Sequence, residues 1–138
     1  PNTQVGACVV NQDNKIVSVG YNGMPLGVSD DDFPWEREGS FLDTKYPYVC
    51  HAELNAILNN PGISLKNCSI YVPLFPCNEC CKAIIQSGIK KVIYLSDKYA
   101  ETEGTIASKK MMDAAKINYQ VLKTNLEELT ISFRVADV

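Results

Sequence analysis

Basic charge is in short supply in this chain. Lys and Arg number 13 against 16 Asp and Glu, giving a formal net charge of -3 and a sequence pI of about 5.1. A protein that tracks a phosphate backbone carries a basic face, so a polynucleotide is a poor match. A small anion, which needs only one or two local cations, is still allowed. Long apolar runs are missing too: none approaches the roughly 20 residues that span a bilayer, which argues against a membrane role. No signal-peptide pattern is visible, and the expected location is cytoplasmic. In that setting the six cysteines (Cys8, Cys50, Cys68, Cys77, Cys80 and Cys81) read as metal ligands or plain thiols rather than as a disulfide framework. Histidine occurs once, at His51.

What the chain does have is ordinary globular material. It has 138 residues, 46% hydrophobic and 21% charged. That length can bury a core without staples, so one domain spanning 1–138 is expected. The first residue is Pro1, not methionine, and the expectation is a processed or trimmed chain.

Two β-rich runs, 5–10 and 16–21, flank turn chemistry at Asn11-Gln12-Asp13-Asn14 and predict a hairpin. From Asn22 to about Tyr48 there is no sustained period. This stretch carries Gly23, Pro25, Gly27, Pro34, Gly39 and Pro47 and an acidic run at Asp30-Asp31-Asp32. Its aromatics, Phe33, Trp35, Phe41, Tyr46 and Tyr48, predict a packed loop rather than a disordered one. A helix is predicted over 50–60, stopped by Pro61-Gly62, and a strand over 68–74. Pro76 is expected to open a second helix that ends at Gly88. A strand over 91–95, a helix over 105–115 and a strand over 117–122 follow, and the tail after Asn125 is weakly specified. Strands alternating with helices after a hairpin imply an α/β fold on a mixed, largely parallel sheet covered on both faces.

Two short motifs carry chemistry. His51-Ala52-Glu53 opens the first predicted helix and Pro76-Cys77-Asn78-Glu79-Cys80 the second. Imidazole nitrogen and thiolate sulfur are zinc ligands. A Cys-x-x-Cys pair at a helix start reaches one metal with both sulfurs, and the N-terminal dipole favours thiolates there. His51, Cys77 and Cys80 leave a fourth tetrahedral position open, as catalytic zinc sites do. Glu53 is not needed as a ligand and is placed to move protons. Cys-x-x-Cys alone is also the pattern of a redox pair, and a fourth ligand would make the site structural. Cys50 and Cys81 each adjoin a proposed ligand, so they should point elsewhere. Cys8, Cys50, Cys68 and Cys81 are read as core or surface thiols.

His-x-Glu followed by Pro-Cys-x-x-Cys resembles the signature of the zinc-dependent deaminases. The wider pattern is similar to the deoxycytidylate deaminase family. The resembling segments are 1–7, Gly20-Tyr21-Asn22-Gly23-Met24-Pro25, 46–56 with its His-Ala-Glu-Leu-Asn-Ala, 74–80, Gly88-Ile89-Lys90 and Ser96-Asp97-Lys98-Tyr99. The zinc motifs are shared across the superfamily; Gly-Tyr-Asn-Gly-Met-Pro and His-Ala-Glu-Leu-Asn-Ala are more specific.

The resemblance implies a three-layer α/β/α sandwich of the cytidine deaminase type with a mixed five-stranded sheet. It implies a zinc-dependent conversion of dCMP to dUMP and ammonia, feeding dTMP synthesis, in a homohexamer activated by dCTP with Mg2+ and inhibited by dTTP. Family members carry a helix ahead of the Pro-Asn-Thr segment, which is absent here and is expected to belong before Pro1.

By the same resemblance Ala52 offers its backbone N–H to the base carbonyl, and Asn22 lies where related deaminases hold the sugar hydroxyl. Asn55 supports the sugar or a neighbouring loop, and Phe75 walls the base. Lys98 and Tyr99 follow a strand at a carboxyl edge and are candidates for the 5′-phosphate. The segment from Gly23 to Asp32 is the candidate regulatory site, with Asn22, Gly23 and Gly27 near phosphates and Asp30 near magnesium. Each has a plainer reading: Asn22 as a turn residue, Phe75 as core, Lys98 and Tyr99 as a solvated loop, and Asp30 as part of a solvated acidic run. The alternatives in function are a free-nucleoside cytidine deaminase, a tRNA or single-strand DNA base deaminase, and a zinc-binding module without turnover.

Overall fold

The computed structural model describes residues 5–136, so the expectations placed on residues 1–4 lie outside the described residues. Strands β1 (Gly6–Val10) and β2 (Ile16–Tyr21) form the expected hairpin, turned through Asn14 at φ 59. Asparagine tolerates that left-handed conformation better than most residues. A register shift between Val9 and Val10 marks a bulge at the turn end of β1. The remaining elements are α1 (Ala52–Leu58), β3 (Ser69–Leu74), α2 (Asn78–Ser87), β4 (Lys91–Ser96), α3 (Glu103–Ala114) and β5 (Asn118–Val121).

The sheet order is β2-β1-β3-β4-β5. β1 pairs antiparallel with β2 and β3, while β3–β4 and β4–β5 are parallel, so the sheet is mixed as expected. Register puts Ala7, Val9, Ile70 and Val92 on one face, all at most 6% exposed. Against that face lie Ala52 and Ala56 of α1, Cys81 and Ile84 of α2 and Met112 of α3, in one continuous core. The three helices pack side by side, α1 on α2 and α2 on α3. Alternate strand residues point the other way, where Val19, Tyr21, Tyr71 and Leu95 are exposed. The element order and the sheet are those of an α/β sandwich.

Close approach between β2 and α1 depends on Gly20. A Cβ there would lie 2.3 Å from Ala56 N and 2.5 Å from Ala52 O, inside backbone that cannot give way. Beside it, Ser18 Oγ donates to Ala56 O. Strand β2 is thereby pressed onto the helix that presents the first motif.

Helix boundaries differ from the sequence expectations in an informative way. α1 begins at Ala52, not Cys50, and His51 is its N-cap at φ -72, ψ 155. α2 begins at Asn78, after Pro76 and Cys77. Cys77 is its N-cap, and its sulfur accepts from Cys80 N at 3.4 Å. α3 begins two residues early because Thr102 caps it, Oγ1 accepting from Thr105 N. In all three the residue before the helix is extended, which sequence periodicity does not show. Gly88 closes α2 in the left-handed region, at φ 88, as its position predicted.

Candidate active site

Each motif sits where a strand or loop hands over to a helix. Cys50 is held by a two-way backbone bridge to Gly23, N to O in both directions at 3.1 and 2.8 Å. His51 therefore leaves a pinned backbone. Cys77 follows β3, whose end is tied across to β4 by Phe75 N donating to Ser96 O at 3.0 Å. The α1–α2 contact brings these two helix starts together. His51 Nδ1 is 3.5 Å from Cys77 Sγ and 3.3 Å from Cys80 Sγ. One donor atom from each of His51, Cys77 and Cys80 lies within 4.8 Å of the other two, the only such group of metal-ligating side chains among the described residues.

The electrostatics match that grouping. The Cys80 thiol donates to the Cys77 sulfur, which together with His51 holds Cys77 well below the ordinary thiol range. The same hydrogen bond, with burial and the neighbouring Glu53 carboxylate, pushes Cys80 up. Its contact with Cys77 raises the His51 imidazole. Three soft or borderline donors converging in this way, one sulfur already favouring the thiolate, suit Zn2+. Cys50 and Cys81 fall outside the group; Cys81 is buried and its thiol donates to Ser108 O.

Glu53 is 6% exposed. Burial pushes its carboxyl above the usual carboxylate range. Its side chain reaches the Cys80 thiol, so it stands beside the metal-ligating group without belonging to it. A carboxyl so raised and so placed is a candidate proton carrier.

A cavity of about 400 Å³ opens over this cluster. Of the expected residues, His51, Ala52, Glu53, Phe75, Cys77, Asn22, Lys98 and Tyr99 all line it. Phe75 is a wall fixed from behind, edge-to-face on Tyr94 and Tyr119 at 5.0 and 5.3 Å. Asn22 Oδ1 accepts from Val5 N at 2.9 Å, so part of its polar capacity holds β1 to the following loop. Asn55 does not line the cavity; its Nδ2 donates to Tyr21 O at 2.7 Å and ties α1 to the end of β2. Gly23 is used in the bridge to Cys50, and Gly27 (φ 82) and Asp30 lie on exposed loop away from the cavity.

Arg37, Lys45 and Tyr46 also line the cavity, and none was expected there from sequence, where Tyr46 was read only as a loop aromatic. They come from the long connection, which is packed only in part: Phe33 and Tyr48 meet edge-to-face at 5.1 Å and Tyr48 Oη donates to Leu42 O, while Phe41 and Tyr46, also expected to pack, are exposed. The connection holds one short 3₁₀ turn, Phe41–Asp43. The available signal was that Lys45 lies six residues before His51, where a pinned approach to the motif carries it to the cavity wall.

A histidine and a Cys-x-x-Cys pair at two helix starts, with a buried glutamate between them on a mixed α/β sheet, define a zinc-dependent deaminase. The model of the cytidine and deoxycytidylate deaminase zinc-binding region matches residues 1–96, and the chain belongs to that family. The chain is similar to deoxycytidylate deaminase from Homo sapiens, 54% identical over 134 residues, which is 96% of this chain and 75% of the relative. It is similar to the probable deoxycytidylate deaminase of Drosophila melanogaster at 50% identity, covering 96% of this chain and 68% of that protein. Among solved structures it resembles dCMP deaminase from cyanophage S-TIM5 in complex with dCMP and dUMP, with TM-score 0.67 and 26% identity, covering 88% of this chain and 83% of the other. No helix among the described residues is long and apolar enough to cross a membrane.

Proposed function

We propose that the protein hydrolyses dCMP to dUMP and ammonia. The observation that carries this is Glu53, buried beside the His51–Cys77–Cys80 group at the floor of a cavity walled by Phe75 and bordered by cations. The likeness to deoxycytidylate deaminases over nearly the whole chain supports the choice of substrate. The whole chain acts as one deaminase domain.

His51, Cys77 and Cys80 hold the zinc, which when bound supplies the Lewis acidity that makes water a nucleophile near neutral pH. Every other step belongs to the chain. Glu53 accepts the proton released as water attacks. It delivers that proton to cytosine N3, which draws electron density from C4 and opens C4 to attack. It then takes the second proton, from the hydroxyl newly bonded to C4, and passes it to the amino group, which leaves as ammonia as the C4–N bond breaks and the C4 carbonyl forms. Its burial suits this work, because desolvation raises the carboxyl above the usual carboxylate range and favours its taking up a proton. The Ala52 backbone N–H, free at the first turn of α1, holds the base carbonyl. Phe75 stacks against the base, Asn22 reaches the sugar, and Lys98 and Tyr99 meet the 5′-phosphate at the rim.

The regulatory reading concerns the loop. dCTP with Mg2+ as activator and dTTP as inhibitor would meet Gly23, Gly27 and Asp30; Asn22 is committed to the cavity and serves at most the border between sites. Association into a hexamer, a place in dTMP supply and a cytoplasmic setting complete the reading.

The test is turnover of zinc-loaded protein on dCMP, deoxycytidine and a cytosine-containing oligonucleotide, with and without dCTP and Mg2+. Preference for dCMP, raised by dCTP, is the expected result. Equal rates on deoxycytidine would move the protein to the nucleoside enzymes, and turnover of the oligonucleotide alone would move it to the polynucleotide ones. Gly27→Ala with Asp30→Asn should remove the dCTP effect and spare basal turnover; unchanged activation would remove the loop from the regulatory site.

A further inference from the structure

We infer that Lys45, with Arg37 beside it, is the cation pair that reads the substrate phosphate and sets the preference for a nucleoside monophosphate over the free nucleoside. This rests on the nucleotide-deaminase reading and names the residues that make it a nucleotide enzyme.

Lysine is rarely fully buried unless it is paired. Lys45 is 9% exposed, yet neither ion pair formed among the described residues, Lys82–Glu79 and Lys109–Asp97, includes it. Its ammonium stands 5.9 Å from the centroid of the Tyr46 ring, and the residue lines the cavity. The backbone holds it there from both sides. Lys45 N donates to Glu36 O at 2.9 Å, and Lys45 O accepts from Tyr48 N and Val49 N at 3.0 and 2.9 Å. The first of these bonds sets residue 36 against residue 45, which brings Arg37 alongside. The two cations repel: burial first, and then the Arg37 guanidinium, pull the Lys45 ammonium below the ordinary lysine range. Its field also reaches the His51 imidazole, one wall away.

A buried lysine outside any ion pair is a costly arrangement that an anion relieves. The cavity it lines has room for one, and a phosphate group is such an anion. Lys98 differs: it is exposed, and its ammonium lies over its own neighbour Tyr99 at 5.2 Å. A solvated rim lysine discriminates little, whereas a desolvated one discriminates more. Lys98 therefore steers the nucleotide in, while Lys45 and Arg37 read it once it is seated.

The test uses zinc-loaded wild type, Lys45→Met, Lys45→Arg and Arg37→Gln, with binding of dUMP and of deoxyuridine measured by calorimetry. Both ligands are products and need no turnover, so the readout is separate from the activity. Lys45→Met should weaken dUMP by about 10- to 100-fold and leave deoxyuridine within about 2-fold. Lys45→Arg should retain most dUMP affinity, and Arg37→Gln should show a smaller loss of the same sign. In turnover, Lys45→Met should raise the dCMP KM while kcat/KM for deoxycytidine holds. Equal weakening of both ligands, or dUMP binding unchanged in both Lys45→Met and Arg37→Gln, would overturn the assignment. If wild type binds dUMP tightly in this way but turns over no dCMP, the phosphate pair stands and the deaminase reading fails.

Discussion

The two ends of the site are built differently. The metal-ligating end rests on helix starts: His51 and Cys77 are N-caps, Cys80 sits one turn in, and the surrounding Ala52, Cys81 and Ile84 are at most 1% exposed. The opposite wall, with Arg37, Lys45 and Tyr46, comes from a connection with no regular element except a three-residue 3₁₀ turn. The reactive groups must be held to a fraction of an ångström, and helices crossing a packed sheet do that. The wall proposed to read the rest of the ligand is held by a few backbone bonds through residues 36–49, and a loop of that kind can change without disturbing the chemistry.

Cutting the rigid end should have the largest effect. Cys77→Ser and Cys80→Ser should each lose bound zinc by atomic absorption, with turnover falling to background. Glu53→Gln should keep its zinc and lose about 10²- to 10⁴-fold in kcat; wild-type turnover in that variant would remove the proton-carrying role. Next comes the scaffold beneath: Gly20→Ala drives a methyl into the α1 backbone and should cost about 1–3 kcal/mol or more in urea denaturation. An unchanged midpoint would mean that β2 and α1 are not in the contact described. The loop side should be gentler. Thr44→Val removes the bond from Oγ1 to Phe41 O and should cost about 1 kcal/mol while raising KM for dCMP more than it lowers kcat. A kcat loss without a KM change would erase the division of labour.

The smallest effect concerns Glu53 in the metal-free protein. Burial raises its carboxyl above the usual carboxylate range. Its favourable contribution is therefore full below the unfolded pKa and fades as pH rises through the higher folded one. Metal-free Glu53→Gln should match wild type in thermal stability near pH 4 and exceed it at pH 7 to 8. A wild type more stable than the variant at pH 8 would reverse the sign of the shift.

The same contrast explains what the sequence made legible. The strands, the three helices and the His51, Glu53, Cys77 and Cys80 cluster follow from short-range patterns: a period, a turn dipeptide, a Pro or Gly stop, ligands three residues apart at a helix start. Phe75, Lys98 and Tyr99, which flank such patterns, line the cavity. Arg37 and Lys45 were not found, because a backbone bond between residues 36 and 45, inside an aperiodic loop, brings them to the cavity. Asn55 lies one turn past His51, on α1, but turns to the Tyr21 carbonyl instead. His51 itself lies just outside the helix that was expected to contain it, since an extended cap residue leaves no mark on the hydrophobic period.

The central claim is that a zinc held by His51, Cys77 and Cys80 and a proton carried by Glu53 together deaminate dCMP. Its most direct test is to strip the protein with chelator, reload it with Zn2+ and follow ammonia release from dCMP in wild type and Glu53→Gln. One zinc per chain in both proteins, with turnover restored only in wild type, is the predicted result. Turnover that survives complete zinc removal, or that returns equally in Glu53→Gln, would contradict it.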